Sequence, residues 1–408
     1  MYCGLLGRKL SHSYSPQIHG MLGQYSYCLF EKEPDELAHF LKYGDFTGIN
    51  VTIPYKKSVI PFLDALSPVA RNLGAVNTIV RRSDGSLYGH NTDFFGFQTM
   101  VTASGLTISG KKALVLGSGG ASNTAVAVLK EMGAQVTVIS RSGDNNYQNI
   151  GIHADAALII NTTPVGMYPD TGKSPVDLSL FPKLEGVLDV IYNPARTQLL
   201  LDAEARGLVA MNGLLMLVAQ AKEAAEYFTG TTIADERIHN IHAILSRQMQ
   251  NLILIGMPGC GKTTLGKLLA EKIGKTFVDA DAEIIKLAGK PIPDIFAQDG
   301  EEPFRELETK VLQHLGKQSG LVIATGGGCV TQARNYPLLH QNGQILWLRR
   351  PLKQLPTEGR PLSHADRMEQ MYHIRKPMYA AFADLTADND DAPDETAASI
   401  MKKWEEFQ

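Results

Sequence analysis

The sequence predicts an α/β protein built as a two-lobed domain followed by a further domain on a parallel sheet, and three observations carry that expectation. Residues 1–20, 111–130 and 251–273 each couple a short apolar run to a small polar turn and then to a helix-period stretch, the pattern of a strand feeding a crossover helix. Two of those turns are glycine-rich, Gly117-Ser118-Gly119-Gly120 and Gly256-Met257-Pro258-Gly259-Cys260-Gly261. At 408 residues the chain is also too long for one ordinary core and should divide.

Along the chain, residues 1–100 carry turns rich in Ser, Thr, Asn and Pro, which suits a substrate-handling lobe. Residues 101–211 read as a nucleotide lobe. Residues 212–247 are helical by pattern and too few for a core of their own, so they should return to the first lobe. The final domain, 251–408, opens on Asn251-Leu252-Ile253-Leu254-Ile255 with no linker in front of it. A net charge of −3 offers no broad basic field for a polyanion, so nucleic acid is not an expected partner. The cysteines Cys3, Cys28, Cys260 and Cys329 are scattered and suggest neither a disulfide framework nor structural zinc. No apolar run is long enough to cross a bilayer and the opening residues lack signal-peptide order, so the expectation is a cytoplasmic enzyme, monomer or homodimer, acting on small molecules. The acidic run Asp388-Asn389-Asp390-Asp391 reads as a solvated turn.

Gly256 through Thr263 fits G-x-x-x-x-G-K-[ST] between an apolar strand and a helix-period run. Glycines let backbone N–H groups wrap phosphates, Lys262 neutralises the β/γ oxygens, and the Thr263 hydroxyl can ligate magnesium. The expected ATP-binding set is Gly256, Gly259, Cys260, Gly261, Lys262, Thr263 and Thr264. Downstream, Asp279 and Asp281 sit at strand spacing, which would aim both carboxylates to one side, one for the metal and one for the acceptor hydroxyl. Phe304-Arg305-Glu306-Leu307-Glu308 follows, and then Thr325-Gly326-Gly327-Gly328 at the end of an apolar strand.

Together with the later Arg360-Pro361-Leu362, these motifs resemble shikimate kinase over about 251–408. The resemblance implies that Asp281, Arg305, Gly327 and Arg375 hold shikimate, that Asp279 joins Thr263 at the magnesium, and that Arg360 closes over the phosphates of ATP. Asp281 would orient the attacking hydroxyl. In one respect the chain departs from the family: the stretch between Trp347 and Arg375 is short, with no arginine before Arg360 where many relatives contact adenine.

In the first part, Ala113 through Ser122 reads as strand, glycine turn and helix. The following strand ends in Ser140-Arg141-Ser142 where an acid would mark NAD, and an arginine there accommodates the 2′-phosphate of NADP. Four stretches then resemble shikimate dehydrogenase over about 1–247: Ser11-His12-Ser13-Tyr14-Ser15-Pro16, Asn50-Val51-Thr52-Ile53-Pro54-Tyr55-Lys56, Gly74-Ala75-Val76-Asn77-Thr78 and Gly89-His90-Asn91-Thr92-Asp93. Tyr192 and Gln220 extend the match. The resemblance implies reduction of 3-dehydroshikimate by NADPH, with Lys56 as the acid that protonates the developing alkoxide and Asp93 as its partner. Ser13 and Ser15 would hold the carboxylate, and Thr52, Asn77 and Gln220 the ring hydroxyls. For the cofactor it implies Gly117, Ser118, Gly119, Gly120 and Ala121 at the pyrophosphate, Ser140 and Arg141 at the ribose phosphate, and Asn161, Thr162, Met167 and Gly213 toward the nicotinamide.

His12 and His19 read as packing or surface residues, and His239 and His242 as part of a solvated helix rather than a metal site. Two alternatives stay open: a first half that oxidises quinate with NAD, and a catalytically silent metabolite sensor.

Overall fold

The computed structural model describes residues 1–10, 13–355 and 365–406, with the side chains of 365–367 excepted. It forms two compact units. The first holds Met1–Val165, Lys173–Tyr192 and Leu199–Ile244; the second holds Gly166–Gly172, Asn193–Gln198 and Leu245–Gln408.

The first unit contains two sheets. Strands β1 (Tyr2–Gly7), β2 (Ser26–Glu31), β3 (Gly48–Val51), β4 (Ala65–Leu66), β5 (Thr78–Arg81) and β6 (Leu87–His90) form one, in the order β2-β1-β3-β5-β6-β4. β1 pairs with β2 and β3 in parallel, but β5 runs antiparallel to both β3 and β6. This sheet of the α/β substrate lobe is therefore mixed rather than all-parallel. Between β5 and β6 the chain has only Arg82-Ser83-Asp84-Gly85-Ser86, with Gly85 at φ +85 and Asp84 accepting from the Ser86 amide at 2.9 Å, and so short a turn can join antiparallel neighbours only.

The second sheet is parallel and covered on both faces. It comprises β7 (Lys112–Leu116), β8 (Gln135–Ile139), β9 (Leu158–Asn161), β10 (Gly186–Asp189) and β11 (Val209–Met211), in the order β11-β10-β9-β7-β8. Ala113 and Val115 bury into one core with Phe97 and Val128, whereas Leu114 and Leu116 bury into another with Phe181 and Leu199. Strand order reverses at β7, so a crevice opens at its carboxyl end, where the Gly117-Ser118-Gly119 turn lies. The helix Leu214–Thr229 packs on the first sheet and on the helix Asp93–Ala103. Phe228 fills the space over Gly48, and Gly96 lies against the Met216 carbonyl and Gln220.

The second unit is built on β12 (Asn251–Ile255), β13 (Thr276–Asp279), β14 (Leu321–Ala324), β15 (Gly343–Arg349) and β16 (Leu385–Asp388), a parallel sheet in the order β13-β14-β12-β15-β16. Every residue of β12 is buried, and the chain turns from it through Gly256–Gly261 directly into the helix Lys262–Ile273. The four cysteines are free, and among the described residues no helix is long and apolar enough to cross a membrane.

His19 is a packing residue, as its sequence setting suggests. It has no exposed surface, stacks on Tyr27 at 4.0 Å and 9°, and places Nδ1 2.6 Å from the Tyr25 hydroxyl. Burial lowers its pKa to about 3, against a weaker opposing hydrogen bond from Asn50. The unfolded chain takes up this proton near pH 6.5 and the folded chain only near 3, so between those values acid favours unfolding. Urea unfolding of the first unit should lose up to about 1.4 kcal/mol per pH unit below pH 6 from this group, and His19→Phe should remove that part of the slope.

Candidate active sites

In the first unit a cavity of about 320 Å³ is lined by Ser13, Ser15, Thr52, Lys56, Asn77, Asp93, Tyr192 and Gln220, and also by Ala121 and Gly213. All eight residues expected around the substrate therefore meet in one place, next to two of those expected around the cofactor. Lys56 Nζ donates to Asp93 Oδ2 at 2.6 Å, with side-chain exposures of 29% and 14%. The ammonium is held by a carboxylate yet remains open to solvent, a setting that permits proton exchange. Asp93 can reach it because it opens the helix Asp93–Ala103 directly after Thr92, which is anchored from below: Thr92 donates its amide to Asn77 Oδ1 at 2.7 Å, and Asn77 Nδ2 donates to Thr92 Oγ1 at 3.0 Å. Tyr192 meets Tyr14 edge to face at 6.1 Å, and burial raises its hydroxyl pKa.

The glycine turn lies beside the neighbouring strand ends. Gly117 donates to the Ile139 carbonyl at 2.8 Å, which brings Ser140 and the exposed Arg141 alongside it. Thr162 Oγ1 donates to the Leu116 carbonyl at 2.6 Å under the same turn. Two expected cofactor residues sit otherwise. Asn161 is fully buried, its amide donating to Asp189 Oδ1 at 3.0 Å and its oxygen accepting from Thr163, so it shapes the turn rather than facing the cavity. Met167 is 45% exposed and belongs to a segment grouped with the second unit.

The second unit has two adjoining cavities. One, of about 460 Å³, is lined by Gly259, Gly261, Lys262, Thr263, Thr264, Asp279, Thr325 and Arg350. The other, of about 290 Å³, is lined by Arg305, Glu308, Gly326, Gly328 and Arg375 at a polar end and by Ile292, Pro293, Phe296, Phe304, Met368 and Met371 elsewhere. Pro258, Asp281 and Gly327 line both. A group transferred from the first cavity to the second would pass these three.

Asp279 and Asp281 do not share an extended strand end, which corrects the spacing argument. Asp279 ends β13 and caps the helix Ala280–Ala288 by accepting from the Asp281 amide at 3.0 Å, so Asp281 already stands in the first helical turn. The other Asp279 oxygen accepts from Thr263 Oγ1 at 2.8 Å. This hydroxyl and carboxylate fit a magnesium ion. Among the described residues no group of three or more His, Cys, Asp or Glu could hold one unaided, so phosphate oxygens and water would complete its shell.

Arg305 and Glu308 form a buried pair at 2.8 Å, with exposures of 7% and 1%. Burial works against the Arg305 charge, but Glu308 and Glu301 outweigh it and hold its pKa above the ordinary value. A Cβ on Gly328 would stand in the Arg305 guanidinium and push it from its buried pairing with Glu308. Arg375 Nη1 and the buried Tyr379 hydroxyl both donate to the Gly327 carbonyl, at 3.1 and 2.5 Å. Lys262 Nζ donates to the carbonyls of Gly256 and Met257 at 2.9 and 3.0 Å. Arg360 and His12 lie outside the described residues.

A shikimate dehydrogenase (NADP(+)) of Clostridium perfringens (strain SM101 / Type A) is 37% identical over 262 residues, 59% of this chain and 96% of that protein. The chain belongs to the shikimate dehydrogenase family. Its residues 5–79 match the family model for the shikimate dehydrogenase substrate binding domain, and residues 258–405 match that for shikimate kinase. Two solved structures resemble the dehydrogenase part. One is a chorismate mutase/shikimate 5-dehydrogenase fusion protein from Clostridium acetobutylicum, at 35% identity and TM-score 0.57, covering 60% of this chain and 96% of that one. The other is a shikimate 5-dehydrogenase from Thermus thermophilus in complex with NADP(H) and shikimate, at 31% identity and TM-score 0.54, covering 60% and 99%. The chain is thus a fusion of a dehydrogenase and a kinase part.

Sequence reasoning missed several residues that the sites use. Asn50, only 5% exposed, lines the dehydrogenase cavity and is fixed there by accepting from the Tyr27 hydroxyl at 2.8 Å and donating to Thr78 at 3.1 Å. Its signal was a polar residue inside the buried strand β3. While Asp388, Asp390 and Asp391 are exposed as expected, Asn389 departs from the reading of 388–391 as a solvated turn. It is 8% exposed, donates to the Cys260 carbonyl at 2.7 Å, and stands where a Cβ on Gly261 would be. Gly328→Ala is expected to destabilise the second unit by about 1–3 kcal/mol through overpacking. Its urea transition should shift while that of the first unit stays in place.

Proposed function

We propose that this chain catalyses two consecutive reactions: reduction of 3-dehydroshikimate by NADPH to shikimate, and phosphorylation of shikimate by ATP to shikimate 3-phosphate. The observation that carries the reading is that each part presents a cation beside a carboxylate in a small cavity next to a glycine turn. That is the equipment for seating one hydroxylated acid against a phosphate-bearing cofactor in each. We assign residues 1–100 with 212–247 to the dehydrogenase substrate lobe, 101–211 to its NADP lobe and 251–408 to the kinase.

In the first reaction NADPH supplies hydride to the C3 carbonyl carbon. Lys56 stands to give a proton to the oxygen as its charge develops and to recover one from solvent, while Asp93 fixes the ammonium and accepts from a ring hydroxyl. Ser13 and Ser15 hold the carboxylate, and Thr52, Asn77, Tyr192 and Gln220 surround the ring. Ala121 and Gly213 mark where the cavity meets the cofactor, and Arg141, exposed beside the glycine turn, meets the 2′-phosphate. That arginine favours NADPH over the NAD-dependent quinate alternative.

In the second reaction Asp281, shared by both kinase cavities, orients the shikimate 3-hydroxyl toward the γ-phosphorus. Arg305 and Arg375 hold the carboxylate, while Lys262 neutralises the phosphate oxygens. Thr263 and Asp279 would hold the magnesium ion, which offsets charge on the phosphates when bound. Phosphoryl transfer needs little more from the protein than such positioning and charge.

A coupled assay supplied with 3-dehydroshikimate, NADPH and ATP should form shikimate 3-phosphate, read by mass. Ligand binding without either turnover would point to the metabolite sensor instead. Lys56→Ala should lower ketone reduction by roughly 10²–10⁴-fold with the kinase intact, and Lys262→Ala should do the reverse. If either substitution silenced both activities in folded protein, the two sites would not be independent.

A further inference from the structure

We infer that Arg350 is a second fixed phosphate-binding cation of the kinase nucleotide site. The inference rests on the kinase reading above and adds to it a residue outside the glycine loop. Arg349 closes β15 and Arg350 follows it, so the two side chains leave opposite sides of an extended chain. Arg349 is fully engaged, its Nε and Nη2 donating to Asp388 Oδ1 and Oδ2 at 2.8 and 2.7 Å. Arg350 turns the other way, onto the wall of the 460 Å³ cavity that Lys262, Thr263 and Thr264 also line. Among the described residues its one hydrogen bond runs from Nε to Gln354 Oε1 at 3.4 Å, and neither terminal nitrogen is bonded to a described residue.

The charge around that cavity asks for such a group. Its lining carries two carboxylates, Asp279 and Asp281, against Lys262 and Arg350. A nucleoside triphosphate brings several further negative charges, of which one divalent ion offsets two, and a planar guanidinium can grip a phosphate through two parallel hydrogen bonds. Standing at the end of a buried strand, next to Pro351, Arg350 is placed before the nucleotide arrives and needs no chain closure to reach it.

The test is calorimetric binding of ADP and of adenosine to the full chain, with an unshifted urea transition of the second unit confirming an intact fold in each variant. Arg350→Gln should weaken ADP roughly ten- to a hundredfold and leave adenosine within about twofold, with Arg350→Lys intermediate because it keeps the charge but loses the fork. Lys353→Gln, which removes an exposed cation nearby, should change neither. Equal ADP affinity in wild type and Arg350→Gln would overturn the inference alone, as would equal loss for ADP and adenosine. A wild-type chain that binds no ADP would overturn both the inference and the kinase reading.

Discussion

The ion pair between Arg305 and Glu308 sets the terms for the kinase part. Removing two charges from water costs several kcal/mol for each ion, and such a pair persists only when its geometry is tight and its surroundings are closed. At 2.8 Å and almost no exposure it meets both conditions. The closure is sequence-specific: Gly326 lies against the Glu308 and Asp281 carboxylates, Gly328 against the guanidinium, and Gly327 against Pro258 of the glycine loop. Three consecutive residues without side chains therefore let Pro258 of the glycine loop, the Asp281 carboxylate and the Arg305 guanidinium converge on one point. Removing Arg305 would leave the Glu308 charge buried and alone, which costs far more than the intact pair contributes, whereas removing Glu308 would leave Arg305 only the exposed Glu301.

The dehydrogenase site solves a different problem with a looser pair. Lys56 and Asp93 are closer, at 2.6 Å, but remain partly in contact with water. Its rigidity comes instead from the uncharged layer beneath, where Asn77, Thr92, Asn50 and Thr78 interlock through hydrogen bonds and none is more than 5% exposed. A satisfied polar network of that kind fixes side-chain positions without itself holding charge.

The difference between the parts explains what the sequence disclosed. Residues proposed to act directly were legible, because chemistry restricts their types: Lys262 by its glycines, Lys56 and Asp93 by the stretches around them. The parallel sheets of the NADP lobe and the kinase were legible from continuous apolar runs such as β12. The antiparallel strand β5 was not, since its orientation follows from the length of one turn rather than from any periodicity. Asp279 and Asp281 misled because spacing of two means one face only while the chain stays extended, and the helix cap formed by Asp279 ends the strand between them. Asn389 was hidden in an acidic run whose other members do look outward; its role depends on where β16 ends relative to the glycine loop, which is a property of the sheet order.

Among the cations proposed to face the shared acid, residue type follows the same division of labour. Lys56, the proposed proton donor, is a lysine, whose ammonium can give up a proton, and it keeps a path to solvent. Arginine stands where charge has to stay. Arg305 is buried beside a carboxylate, a position in which a group able to lose its proton would escape the cost of burial by becoming neutral and, on the function proposed, release the acid. On this argument Lys and Arg cannot be exchanged between the two parts even though both bind the same acid. A Lys at position 305 would have to bear desolvation with one ammonium and without the fork that engages Glu308 and Glu301 together, and an Arg at position 56 would hold the substrate while withholding the proton.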